Sequence, residues 1–242
     1  MTVAGAALAL LVGAALQSAT GFGFALVSAP ILFALLGPRE AVTTGVIVGI
    51  LLSSLTLATE WRRPQVLVRD AVKLVAWSLP GIALGVLALR EVPEQPLSVL
   101  VALAVLAGLA LRVRGIRAAA PPRPRRWHVP AAGATSGALS TSTSLSGPPL
   151  VFCLLARAVT PAQMRDTLAA IFIAESLIAL PALLATSTFD APPAVVVLLL
   201  AGLAGQLLGR RAFGWLEGDR YEWAVLAALA LTALVALAAT VA

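Results

Sequence analysis

Gln17-Ser18-Ala19-Thr20-Gly21-Phe22-Gly23-Phe24 and Ser140-Thr141-Ser142-Thr143-Ser144-Leu145-Ser146-Gly147-Pro148-Pro149 are the two places where polar side chains gather, each interrupting a long apolar stretch. The glycines at 21 and 23 permit backbone conformations closed to other residues and let a ligand approach the main chain. In the second segment five hydroxyl residues run consecutively, and a Pro at a first helical turn after Ser is a helix-start signature. Each segment is expected to present free N–H groups at a helix N-terminus, which favour an anion through unpaired donors and the helix dipole. Gly, Ser and Thr are also routine packing residues in membrane helices, but five hydroxyls in a row exceed what packing requires. The candidate substrate-binding residues are therefore Gln17, Ser18, Thr20, Gly21, Gly23, Ser140, Thr141, Ser142, Thr143, Ser144, Ser146 and Gly147.

Glu175 is the one acidic residue deep inside an apolar stretch, Ile171-Phe172-Ile173-Ala174-Glu175-Ser176-Leu177. An intramembrane carboxyl is costly as an ion and is by default a functional hypothesis, here proton coupling or substrate contact. The structural alternative is a neutral carboxyl bonded to the Ser and Thr run of its own half. Arg165 and Asp166 read as an interfacial pair. The single Cys153 and single His128 allow neither a disulfide nor a Cys/His metal cluster within one chain. No nucleophile and base pairing, phosphate loop or metal-ligand spacing is present, so no catalytic residue, enzymatic activity, metal or cofactor is expected.

The elements that must position these residues follow from composition. With 60% hydrophobic residues, 12% charged and a mean hydropathy of +0.98, the chain far exceeds the roughly half-apolar make-up of soluble domains. An all-α polytopic membrane protein is implied, with room for about seven to ten spans at roughly 20 residues each and no soluble domain. The apolar N-terminal stretch, 1–17, lacks a basic region before it and is expected to remain uncleaved. A net charge of +6 and a pI near 11.2 are also found in nucleic-acid-binding proteins, but here the basic residues are nearly all arginines in short loops, as membrane topology predicts. No nucleic-acid partner is expected.

Apolar stretches run over 2–36 (interrupted near Gly21), 41–60, 71–90 and 97–113; a Pro- and Arg-rich connector follows; and the second set runs over 129–156 (interrupted between Ser140 and Pro149), 163–185, 192–209 and 221–241. The order repeats. Ser28 to Phe33 resembles Gly147 to Phe152, Pro38 to Ala41 resembles Pro161 to Met164, and Gly81 and Gly85 match Gly205 and Gly209. Those glycines, four residues apart in smooth apolar helices, read as helix-packing contacts. The expected domains are a first membrane repeat, 1–113, a basic cytoplasmic connector, 114–128, and a second membrane repeat, 129–242. If each broken segment crossed the membrane once, Arg157, Arg165, Arg210, Arg211 and Arg220 would join Arg39 and Arg90 outside. If each returns to the side it came from, only Arg39 and Arg90 of the 17 Lys and Arg residues are outside, as the positive-inside rule favours. Each half is then a re-entrant helical hairpin plus three transmembrane helices. That is an odd number of crossings, so the two halves are inverted and both termini face outward. Trp61, Trp127, Trp215 and Trp223 fall at the proposed cytoplasmic boundary, with Trp77 one turn inside it.

With its two-half organisation, the run Gln17 to Phe24 followed by Pro30, and the stretch Gly133 to Pro149, the whole chain resembles the sulfite exporter TauE/SafE family. The family's breaks are glycine-rich in both halves, whereas here the second carries Ser and Thr. The resemblance implies a multi-pass transporter in the plasma (inner) membrane for a small anion, such as sulfite, an organosulfonate or a small organic acid. Proton coupling through Glu175 and a homo-oligomeric state are compatible with it. A channel-like pore for small anions or neutral solutes is the alternative, since it could use the same hydroxyl lining.

Overall fold

The computed structural model describes residues 2–20, 23–58, 63–117, 127–155, 157 and 159–213. Within them the chain is helical: α1 (Thr2–Thr20), α2 (Gly23–Leu36), α3 (Pro38–Ala58), α4 (Val68–Glu91), α5 (Glu94–Arg117), α6 (His128–Thr143), α7 (Gly147–Leu155), α8 (Pro161–Ala185) and α9 (Val195–Phe213). No strand occurs among the described residues. The expected last span, 221–241, most of the connector, and Trp61, Trp215 and Trp223 lie outside the described residues. Pro38–Ala58, Val68–Glu91 and Ala162–Ala185 are long and apolar enough to cross a membrane.

Both broken segments fold back on themselves. Gly13 lies against the backbone of Phe24, and Gly5 against Leu35, so α2 runs antiparallel to α1. In the other half the Ser136 hydroxyl lies 3.2 Å from the Ser146 carbonyl, and the rings of His128 and Phe152 meet edge to face at 6.0 Å, so α7 returns along α6. His128 is thus the first residue of α6 rather than a loop residue. Both interruptions are narrower than the sequence suggested. Helix α2 has begun by Gly23 and runs through Pro30, and α6 continues through the hydroxyl run as far as Thr143. The physical reason is that hydroxyls in an apolar medium satisfy themselves on the carbonyl one turn earlier and leave the helix ladder intact. Ser142 donates to Ala138 O at 2.7 Å and Thr143 to Leu139 O at 2.8 Å. The helix stops only at Ser144, left-handed at φ 61°, whose N–H caps α6. Helices α2 and α7 begin at Gly23 and Gly147, so Ser28 lies inside α2 whereas Gly147 opens α7.

The helices exchange partners between halves. Helix α4 packs along α6 in the same direction: Gly81 meets Ala134 and Ala138, Gly85 meets Ala138 and Thr141, and from the other side Gly133 and Gly137 meet Leu74, Trp77 and Ser78. Helix α9 packs in the same way along α1, Gly205 on Leu11 and Gly209 on Ala15 and Ser18. A side chain at any of these glycines would collide with the facing backbone, so close helix approach requires them. Helix α8 crosses α3 and starts from a capping box: Thr160 accepts from Gln163 N–H at 3.2 Å, and the Gln163 side chain returns the bond to Thr160 N–H at 3.1 Å. The outward faces of α4 and α9 stay apolar, with Leu84 64% and Leu200 59% exposed. Such a surface suits lipid and would be an aggregation liability in water.

Polar contacts tie together the ends of different elements. Asp70, at the start of α4, pairs with Arg157 at 2.7 Å, and Asp166 accepts from Gln65 N–H at 2.7 Å. Gln65 and Leu67, just before α4, therefore lie beside the start of α8, where Thr167 also accepts from Leu67 N–H. At another corner the Asp190 N–H donates to Thr43 Oγ1 at 3.0 Å, and Arg39 and Arg90 share a surface depression with Glu40, Glu94 and Asp190.

Candidate functional site

The two hairpins and the crossing pair α3 and α8 enclose a cavity of about 40 Å³. Hairpin α1/α2 contributes Gln17, Phe24 and Ala25; hairpin α6/α7 contributes Ser140, Ser144, Ser146 and Gly147. Helix α3 adds Gly45, Val46, Gly49 and Ser53, and α8 adds Phe172 and Ser176. A water needs roughly 10–15 Å³, so the space suits a solute of a few heavy atoms rather than a bulky one. Phe24 and Gly147 lie in the first turns of α2 and α7. Two helix N-termini therefore border one cavity; in α7 Pro148 and Pro149 carry no N–H, so its first turn offers the helix dipole and at most the Gly147 N–H.

Eight of the lining residues are evenly offset along the chain. Gln17 with Ser140, Phe24 with Gly147, Gly49 with Phe172, and Ser53 with Ser176 stand at one constant sequence separation. Pro38 and Pro161, the first residues of α3 and α8, share it.

Not all of the sequence-derived candidates meet here. Gln17, Ser140, Ser144, Ser146 and Gly147 do. Ser18 faces Gly209 and donates to Ala15 O at 2.8 Å, while its own carbonyl lies 3.5 Å from Arg165 Nη1. Thr141 turns to α4, donating to Ile82 O at 3.0 Å, and Ser142 and Thr143 are taken up by carbonyls of their own helix. Gly23 is the buried first residue of α2, Thr20 ends α1, and Gly21 lies outside the described residues. Arg165 reaches Ser18 O and Asp166 accepts from Gln65 N–H, and the two opposite charges also act on each other.

Glu175 stands behind the cavity wall, 1% exposed. Its Oε1 lies 2.8 Å from the Ser136 hydroxyl, while its Oε2 has no hydrogen-bond partner and the nearby Ser78 hydroxyl donates to Val75 O at 2.8 Å. Ser136 escaped the sequence reading, as did Gly45, Gly49, Ser53 and Ser176. A signal for them existed. Ser136, Ser140 and Ser144 recur every four residues, as do Gly45, Gly49 and Ser53, and that spacing puts each trio on one helix face. Among the described residues no group of three or more His, Cys, Asp or Glu side chains could hold a metal.

A family model described as "Sulfite exporter TauE/SafE" matches residues 5–236, nearly the whole chain. The chain belongs to that family. TauE/SafE proteins are membrane transporters rather than enzymes, which agrees with the apolar spans and with a small cavity among the helices. No curated protein and no solved structure matches the chain.

Proposed function

We propose that this TauE/SafE protein is a secondary transporter that carries a small anion, of the sulfite, organosulfonate or small organic acid class, across the plasma membrane. The observation that carries the reading is the cavity, where the first turns of α2 and α7 converge with neutral hydrogen-bonding side chains from both halves. Donors without charge partners and the positive ends of two helices match an anion's needs. In this reading the halves 1–113 and 129–242, joined by the connector 114–128, form an inverted repeat with re-entrant hairpins α1/α2 and α6/α7. The exchanged packing of α4 on α6 and α9 on α1 supports it, as does the constant separation of the paired lining residues. Equivalent positions on both sides of one site are what alternating access between two halves requires.

The decisive experiment is counterflow in proteoliposomes. Vesicles loaded with unlabelled sulfite should take up labelled sulfite with saturation and trans-stimulation. Flux that rises linearly with concentration and ignores the internal anion would mean a channel-like pore instead.

Inversion makes a separate expectation. The loop before α4 and the loop before α9 occupy equivalent places, so an inverted repeat puts them on opposite faces, the first in the cytoplasm. In a Cys153→Ser background, Gln65→Cys should be protected from an impermeant thiol reagent in intact cells, while Ser187→Cys should react. Labelling of both, or of neither, would defeat the inverted arrangement.

A further inference from the structure

Helical serines and threonines in this chain fold their hydroxyls back on the carbonyl one turn earlier: Ser28 donates to Phe24 O at 2.7 Å, Thr56 to Leu52 O at 2.9 Å, and Ser142 and Thr143 likewise. This is the usual solution where no water is at hand. Thr44, away from the cavity, and Ser53 depart from it. The Ser53 side chain is 0% exposed, its Oγ has no hydrogen-bond partner, and it lines the cavity. Ser144 Oγ, from the break after α6, lines the same cavity and is likewise without a partner. A buried donor left unmade is destabilising, and two around one cavity point to a ligand that completes them.

The charge of that ligand follows from what surrounds it. Every described residue lining the cavity is uncharged. In a low-dielectric site the penalty for an uncompensated charge grows steeply, in the Born picture with its square, whereas the number of neutral donors is fixed. One charge can be met by hydroxyls, the Gln17 amide and the positive ends of the two helix dipoles. Two call for a cation.

Resting on the transport reading above, we infer that the cavity selects a small, singly charged oxoanion and that Ser53 of α3, together with Ser144, supplies hydroxyl ligands to it. The hydroxyls of Thr141, Ser142 and Thr143, already bonded to backbone carbonyls, do not serve. The crossing helix α3 is then part of the recognition apparatus, and the two breaks are only half of the site.

Methanesulfonate and sulfate test this directly, because both present tetrahedral sulfur with oxygen ligands but carry one and two charges. Titrated into the purified full-length protein at fixed pH and followed by calorimetry, methanesulfonate should bind at least about tenfold more tightly than sulfate. Ser53→Ala should weaken methanesulfonate by about tenfold to a hundredfold, the range for losing a hydrogen bond to a charged partner, with the melting temperature of the ligand-free protein little changed. Should that variant not fold, Ser53→Cys keeps the size with a weak donor and carries the same expectation. Equal affinity for the two anions would overturn the charge selection, and an undiminished affinity in the Ser53 variant would remove Ser53 as a ligand; either result leaves the transport reading standing. If the wild-type protein binds neither anion and shows no sulfite counterflow, the transport reading itself falls and this inference with it.

Discussion

Gly45→Val should reduce sulfite counterflow to background while leaving a folded, monodisperse protein. Gly45 faces Ser144 across the cavity, and a Cβ at position 45 would meet Ser144 Oγ and stand 2.9 Å from its Cβ. Ser144 has little room to retreat. It occupies the left-handed region at φ 61°, and its N–H bonds Ser140 O at 3.1 Å, closing the end of α6. A valine would therefore either occupy the cavity with its methyl groups or push the break aside and dismantle the cap. Overpacking of this kind costs about 1–3 kcal/mol, less than the stability of a typical domain, so the loss should appear in flux rather than in yield. Alanine at the same position should give a partial defect. Counterflow at matched protein density, with size-exclusion chromatography as the check on folding, decides the matter. A valine variant that transports at the wild-type rate would show that the cavity is not on the substrate's route.

Glu175→Gln should abolish the acceleration of transport by a pH gradient while preserving anion binding. The Ser136 hydroxyl has one proton and two acceptors within reach, Glu175 Oε1 at 2.8 Å and the Ser146 carbonyl at 3.2 Å. With Glu175 ionised, Ser136 is drawn to the carboxylate, and Ser146 O at the cavity edge is released. With Glu175 protonated, the carboxyl can itself donate to Ser136 Oγ, freeing the Ser136 proton for Ser146 O. Proton occupancy at Glu175 would thus be coupled to the break that borders the substrate. The groups beside the carboxyl, Ser78 of α4, Ser136 of α6 and Ser146 of the break, are all uncharged hydroxyls. Glutamine can donate to Ser136 but cannot titrate, so it imitates the protonated arrangement permanently. Counterflow and gradient-driven uptake in the same proteoliposomes separate the two functions. A glutamine variant that keeps its gradient dependence, or a wild-type protein that has none, would leave Glu175 as a structural residue.

Membrane character and the two breaks were legible because they depend on local composition: apolar runs of span length, interrupted by residues that cannot continue them silently. The packing role of Gly81, Gly85, Gly205 and Gly209 was legible too, because four-residue spacing on a helix defines a face regardless of what meets it, and each does meet a facing backbone. The direction of individual hydroxyls was not. Ser140 and Thr141 are adjacent and chemically alike, yet one lines the cavity and the other donates to Ile82 O on α4, a difference of about 100° around the helix axis at 3.6 residues per turn. Nor could the sequence show that α3 closes the site. Gly45, Gly49 and Ser53 read as an ordinary small-residue stripe until the crossing with α8 and the approach of Ser144 make one wall of it a lining. The sequence by itself determined what kind of backbone this is and which two segments must leave the helix, though not at which residue, since those depend on residues near one another in the chain. The tertiary structure decided which donors remain unsatisfied and therefore free for a ligand, because satisfaction of a buried hydrogen bond depends on partners such as Ile82 and Glu175 that only helix packing brings into reach.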